Sequence, residues 1–81
     1  MTQLINTPNQ MGEIIRGRRK SRNVPQQELA TKLHMSQSRL STLEGNPANL
    51  TLDRLIAIAN LLGFEIVLQD KLDKTSTKAE W

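Results

Sequence analysis

The residues from Pro25 to Asn46, PQQELATKLHMSQSRLSTLEGN, constrain the fold more than any other stretch of the chain. They read as two short helices hinged between Leu33 and Ser36. The first, about Pro25 to Leu33, places Leu29, Ala30 and Leu33 on one side, at the i, i+1, i+4 spacing of a buried helical face. The second opens at Ser36, a residue type whose side-chain oxygen takes up a free backbone N–H at a helix start. Its apolar residues, Leu40 and Leu43, lie i, i+3 apart and turn to the core. Ser38, Ser41 and Thr42 then point the other way, with Gln37 and Arg39 on the shoulders.

An outward face of short hydroxyls flanked by Gln and Arg suits the reading of base edges. Gln offers a paired donor and acceptor to adenine, Arg two donors to guanine, and small residues let a helix sit deep in the major groove. Taken one by one, the same residues also fit an ordinary solvated helix face.

Their order says more. The run Gln26-x-x-Leu29-Ala30-x-x-Leu33-x-Met35-Ser36-Gln37-Ser38-x-Leu40-Ser41-x-Leu43-Glu44 resembles the helix-turn-helix of the phage-repressor (Cro/cI, or XRE) family. In that family the second helix reads the major groove and the first crosses the DNA backbone. The resemblance implies base reading by Gln37 and Ser38 at the start of the recognition helix, with Arg39 beside them and Ser41 one turn on. It also implies that Gln26 contacts phosphate and braces Gln37, with Ser36 and Thr42 nearby on the DNA backbone. Two positions depart from the pattern. His34 stands where the turn usually has Gly, at a place where one residue often takes a positive φ. Pro25 replaces the usual Ser or Thr, and still fits the first turn of a helix. This lone His has no partner ligands for a metal, and neither metal, cofactor nor small-molecule ligand is expected.

Eighty-one residues make one small domain, of a size that often completes its core by pairing with another copy. The absence of Cys excludes a disulfide framework and thiolate chemistry, and no apolar run is long enough for a membrane span. The expected location is the cytoplasm, on the nucleoid. From Met1 to Gly45 there are 7 Lys or Arg against 3 Asp or Glu, a balance of +4; from Asn46 to Trp81 there are 4 against 5, a balance of −1. The basic half is the half with the two hinged helices, as a phosphate-facing surface requires.

Residues 1–7 form an N-terminal arm with Leu4 and Ile5 as its apolar pair. Thr7-Pro8 opens the first helix, a capping residue followed by Pro at the first helical position. Met11, Ile14, Ile15 and Arg18 or Arg19 set its inner side, and Asn23 stands where a left-handed residue would end it. Arg16, Arg18, Arg19, Lys20 and Arg22 concentrate positive charge at its C-terminal half. The helix dipole explains part of that run, and phosphate contact, at Lys20 and Arg22, another part. Lys32 and Asn46 complete the set expected on the DNA backbone. The family resemblance implies a different role for Arg19: a structural, partly buried ion pair with Glu44.

Gly45-Asn46-Pro47 is expected to end the recognition helix through a left-handed residue followed by a breaker. Thr51 caps a fourth helix, Leu52 to Leu62, in which Leu52, Leu55, Ile56, Ala59 and Leu62 are expected to close the core. Ile58 and Leu61 then widen the apolar arc into a dimer surface, or pack against the N-terminal segment. After Gly63 the period changes from 3.6 to 2. Phe64, Ile66 and Leu68 face one way and Val67 the other, which predicts a strand at 63–69. A lone strand needs a partner, supplied by the same strand of a second subunit, with pairing to Leu4-Ile5 possible alongside. Residues 70–81 read as a disordered tail ending in the single Trp81, either inert, an anchor for a partner groove or a degradation signal. The expected fold is mainly α: a four-helix Cro/cI-type domain over 8–62, with one C-terminal β-strand pairing across a homodimer.

Within the family, the segment Glu44 to Leu52, the strand Phe64-Glu65-Ile66-Val67-Leu68 and the Glu-Trp ending resemble the HipB antitoxins of HipA/HipB toxin–antitoxin modules. That resemblance implies a dimer that represses its own operon at a palindromic operator in double-stranded DNA. It also implies binding to a HipA-type serine/threonine kinase toxin, released when proteases degrade the tail. A free-standing Cro-like repressor needs the same residues on DNA and no toxin. An enzyme is a poor third reading, with one His, no Cys, no glycine-rich phosphate loop and no metal-ligand cluster.

Overall fold

The computed structural model describes residues 2–71. Within them stand α1 (Pro8–Ser21), α2 (Gln26–Lys32), α3 (Gln37–Gly45) and α4 (Leu52–Leu62), with a 3-10 turn at Pro47–Asn49. Helices α1 and α2 both pack on α3, and α1 also packs on α4 and on the 3-10 turn. No helix among the described residues is long and apolar enough to cross a membrane. Most of the expected tail, Trp81 included, lies outside the described residues; Asp70 and Lys71 are exposed and in no helix or strand.

Local chemistry explains each boundary. Pro8 fills the first position of α1, and the N–H of Thr7 before it is taken by Oε1 of Gln10 at 2.9 Å. The helix start is therefore closed from inside by a glutamine, the reciprocal half of a capping box. Three helices end with one device. After α1, Asn23 turns left-handed (φ 57°), and the N–H of Val24 reaches back to the Arg19 carbonyl at 2.9 Å. After α2, His34 does the same (φ 60°), with the N–H of Met35 on the Ala30 carbonyl at 3.0 Å. After α4 the residue is Gly63 (φ 77°), with the N–H of Phe64 on the Ala59 carbonyl at 3.0 Å. Each left-handed residue satisfies the last carbonyls and is followed by an apolar one, so Val24, Met35 and Phe64 all fold back onto the core.

The end of α3 differs from expectation. Gly45 is the last residue of the helix and does not turn left-handed; Gly63 is the glycine with positive φ among the described residues. The helix stops at Asn46 (φ −139°, ψ 74°), because the ring of Pro47 forbids helical geometry to the residue before it. Ser36, by contrast, caps α3 as expected, its Oγ accepting the N–H of Arg39 at 3.1 Å.

The core is formed by Met11 and Ile15 of α1, Leu29 and Ala30 of α2 with Leu33 just beyond it, Leu40 of α3, and Ile58 and Leu62 of α4. Helix α4 is turned relative to the expected face. Ile58, assigned from sequence to a dimer surface, is 1% exposed at the centre of the core, whereas Leu52, assigned to the core, is 67% exposed. Leu55, Ile58, Ala59 and Leu62 make the inward i, i+3, i+4, i+7 stripe, which leaves Ile56 on one flank and Leu61 on the other. With apolar residues nearly all around α4, periodicity alone admits more than one inner face.

No strand forms among the described residues: the strand expected at 63–69 is not seen, and neither Phe64–Gln69 nor Leu4-Ile5 is paired with another described segment.

Gly12 is the contact on which the α1–α3 packing turns. A Cβ there would collide with the carbonyl oxygen of Glu44 and lie 3.1 Å from Cγ of Pro47. Backbone meets backbone at this crossing, which a side chain would wedge apart. Gly12→Ala is expected to destabilise the fold by about 1–3 kcal/mol, outweighing the better helix propensity of Ala; urea denaturation measures it, and a stabilised variant would show the helices free to separate.

Candidate nucleic-acid interface

Helix α3 is divided by its own periodicity. Leu40, Leu43 and Glu44 are buried, while Gln37, Ser38, Arg39, Ser41 and Thr42 are exposed. The hydroxyl of Thr42 donates to the Ser38 carbonyl at 3.0 Å, and the hydroxyls of Ser36 and Ser38 lie 3.4 Å apart. Ser41 and the Arg39 guanidinium have no side-chain partner among the described residues, so both present donors to solvent.

The buried end of α3 is held by a network around Glu44, whose side chain is 1% exposed. Arg19 donates Nε to Oε2 at 2.9 Å and Nη2 to Oε1 at 3.2 Å, a two-pronged pair. Its third nitrogen, Nη1, donates to the Val24 carbonyl at 3.2 Å, tying the end of α1 into the same network. Gln26 donates Nε2 to Oε1 of Glu44 at 3.1 Å, and Arg16 approaches that oxygen at 3.7 Å. Gln26 in turn accepts from Nε2 of Gln37 at 3.4 Å, so the brace expected between these glutamines is present.

A helix-turn-helix family model matches residues 15–69, two thirds of the chain. The chain belongs to the Cro/cI-type (XRE) helix-turn-helix family. It is therefore a DNA-binding protein of the transcription-regulator type, with α2 and α3 as its helix-turn-helix pair. No curated protein matches the chain.

Around this helix-turn-helix the basic residues divide into distinct environments. Arg19 is inside the structure, and Arg16 leans on Glu44. Arg18 stacks on the Phe64 ring, its guanidinium carbon 5.4 Å from the centroid. The guanidinium of Arg22 lies over Gly63, 3.0–3.2 Å from where a Cβ would stand, at the C-terminal end of α4. Arg22, expected on the DNA backbone, is exposed and lies beside the C-terminal end of α4. Lys32 lies 3.8 Å from Glu28 one turn before it on α2. Lys20 is exposed without a partner among the described residues, and the Asn46 side chain is exposed beside the end of α3. Arg54, not singled out from sequence, directs Nη1 to Sδ of Met35 at 3.8 Å and joins α4 to the turn between α2 and α3.

The ion pair generates a stability prediction. Arg19→Met alone leaves a carboxylate inside the protein without its main partner and is expected to cost about 3–5 kcal/mol. The double variant Arg19→Met/Glu44→Leu is expected to cost less than Arg19→Met; thermal unfolding of the set measures the coupling, and strict additivity would remove the pair's structural role. On DNA, Gln37→Ala is expected to cost about 1–3 kcal/mol at one base pair. Lys20→Ala should instead weaken all sequences alike and lower the salt dependence by about one charge. Titrations at several salt concentrations separate the two behaviours.

Proposed function

We propose that this chain is a homodimeric repressor that reads a palindromic operator with the exposed face of α3, and that it is the antitoxin partner of a HipA-type serine/threonine kinase toxin. The observation that carries the DNA-reading part is the placement of Gln37, Ser38 and Ser41 on an open face, over Leu40 and Leu43 in the core and beside the Glu44 network. The protein acts by binding and gives no residue a catalytic role. It works on the nucleoid, in the cytoplasm.

The homodimer is supported by what one chain leaves uncovered. Leu52, Ile56 and Leu61 of α4 are exposed, as are Ile66, Val67 and Leu68, the last at 97%. Residues 65–69 make no backbone hydrogen bond among the described residues, and their apolar alternation suits a strand. A two-fold related copy of the same segment would supply the missing partners and double the number of recognition helices. Phe64, which packs on the core, would anchor the root of that strand.

The antitoxin role rests on the resemblance of Glu44–Leu52, Phe64–Leu68 and the Glu-Trp ending to HipB proteins. In this reading the toxin is kept inactive on the operator of a shared operon, and the segment ending in Trp81 serves as a partner anchor or degradation signal. Purification of the protein from its own cells is expected to bring down a stoichiometric kinase-like protein together with operator DNA. Operator DNA without the kinase would instead identify a free-standing Cro-like repressor. For the dimer, Ile66→Asp or Leu68→Asp is expected to yield monomers in light scattering, with weakened operator binding. Dimers of unchanged mass would refute the strand pairing.

A further inference from the structure

The turn between α2 and α3 is packed on its inner side by a sulfur atom that a guanidinium reaches. His34 holds a left-handed conformation there (φ 60°), which costs free energy in any residue with a Cβ. Met35 offsets that cost. Its N–H bonds the Ala30 carbonyl at 3.0 Å, and its half-buried side chain packs against the core. Nη1 of the half-buried Arg54 lies 3.8 Å from Sδ. A charged guanidinium keeps to the boundary of an apolar core, so the sulfur stands at that boundary. Met11, the other methionine among the described residues, is buried in the core, and the chain has no Cys to compete for an oxidant. A thioether is flexible and apolar, whereas its sulfoxide is polar and needs a hydrogen-bond donor. A donor 3.8 Å from the sulfur leaves room for an oxygen on that sulfur to accept a bent hydrogen bond of about 2.9 Å from the same Nη1.

We propose that Met35 is a modification site, oxidised to the sulfoxide by hydrogen peroxide, and that the change loosens the α2–α3 turn and weakens DNA binding. A lone pair on Sδ attacks one peroxide oxygen, and the S–O bond forms as the O–O bond breaks. The departing hydroxide takes the proton from the transferred oxygen and leaves as water. Sulfur gives up two electrons and the peroxide receives them. Arg54 is a positioning residue for the new oxygen: it donates to it and draws the side chain toward the guanidinium and off the core. The DNA-facing side chains of α3 stay as they are, and the angle between α2 and α3 is what changes. The modification is reversible, because methionine sulfoxide reductases return the sulfoxide to the thioether.

The test treats the full chain with hydrogen peroxide and follows oxygen uptake at each methionine by peptide mass spectrometry. Affinity is measured in parallel on a duplex selected from a random-sequence pool. Met35 is expected to oxidise well before Met11. As it does, affinity is expected to fall by about tenfold, the order lost when a partly buried side chain leaves its packing. Circular dichroism should show the helices retained, and a methionine sulfoxide reductase should restore the affinity. Met35→Leu keeps the volume without an oxidisable sulfur, and is expected to bind DNA as the unaltered protein does, before and after peroxide. In Arg54→Leu the new oxygen lacks its donor, so oxidation is expected to lower the thermal midpoint by more than in the unaltered protein. An equal drop overturns the part given to Arg54. Equal oxidation of Met11 and Met35, unchanged affinity with Met35 fully oxidised, or the same loss in Met35→Leu overturns the proposal. If Met35→Leu fails to fold, the reductase decides: affinity that stays low once Met35 is a thioether again overturns it as well.

Discussion

Glu44 is the residue on which the arrangement of the three N-terminal helices depends, because α1 grips it twice. Its backbone carbonyl abuts Gly12, and its carboxylate is held by Arg19. Those two residues are seven apart on one face of α1, about 10 Å along the axis. Arg19 bridges the distance because long helical side chains lean back toward the N-terminus of their helix. The pair also has an electrostatic logic. A carboxylate in the last turn of α3 adds to the negative end of that helix, while Arg19 sits favourably in the last turn of α1. Each helix end alone carries excess charge, and bringing them together offsets both. The cost of desolvating two charges leaves little net gain in stability, so the pair's contribution is to make one mutual position of α1 and α3 better than its neighbours.

That position matters because the helices are short. Helix α2 has seven residues and α3 nine, too few to persist in water without packing. Their helical state is maintained from outside, by Leu29, Ala30 and Leu40 in the core and by the left-handed turns at Asn23 and His34 that bracket α2. The turn at His34 sends Met35 back to the core, and Arg54 reaches that methionine from α4. The hinge between the two DNA-facing helices is therefore packed on its inner side, and the angle it sets is a property of the whole domain.

The sequence was most legible where one side chain has one physical reason for its place. Thr7-Pro8, Ser36, Thr51, Asn23 and Gly63 mark helix ends because of backbone chemistry that needs no tertiary context, and the structure uses all of them as ends. Leu29, Leu33, Leu40 and Leu43 were readable as core because polar residues on the same helices leave one choice of face. Legibility failed where that contrast was missing. Helix α4 is apolar nearly all round, so nothing local distinguishes Ile58 from Ile56, and packing against α1 decides. At Gly45 a glycine near a helix end suggests a left-handed turn, while Pro47, two residues later, sets a stronger constraint on Asn46 between them. The arginines of α1 and its C-cap are alike in sequence, yet Arg16 and Arg19 meet Glu44, Arg18 meets Phe64 and Arg22 lies over Gly63, all residues far along the chain. Gly12 gave no sequence signal, because its requirement is the backbone of a helix thirty-odd residues away.

This distribution of charge and polarity bears on what α3 can recognise. In the N-terminal half Arg16 and Arg19 share Glu44, Lys32 lies near Glu28 and Arg18 stacks on Phe64, which leaves Lys20 and Arg39 as cations without a partner among the described residues. At the start of α3, the Ser36 oxygen accepts the Arg39 N–H and lies 3.4 Å from the Ser38 hydroxyl, so these two hydroxyls share their hydrogens between each other and the outside. Thr42 has given its hydrogen to the Ser38 carbonyl and faces outward with lone pairs and a methyl group, a poor match to phosphate in that rotamer. Contact there requires the hydroxyl to turn and give up the internal bond. Ser41 and Arg39 present donors to solvent, and Gln37 has lent one N–H to Gln26. The division of labour on this face therefore follows less from which residue types are present than from which of their hydrogen-bonding groups the fold has already used.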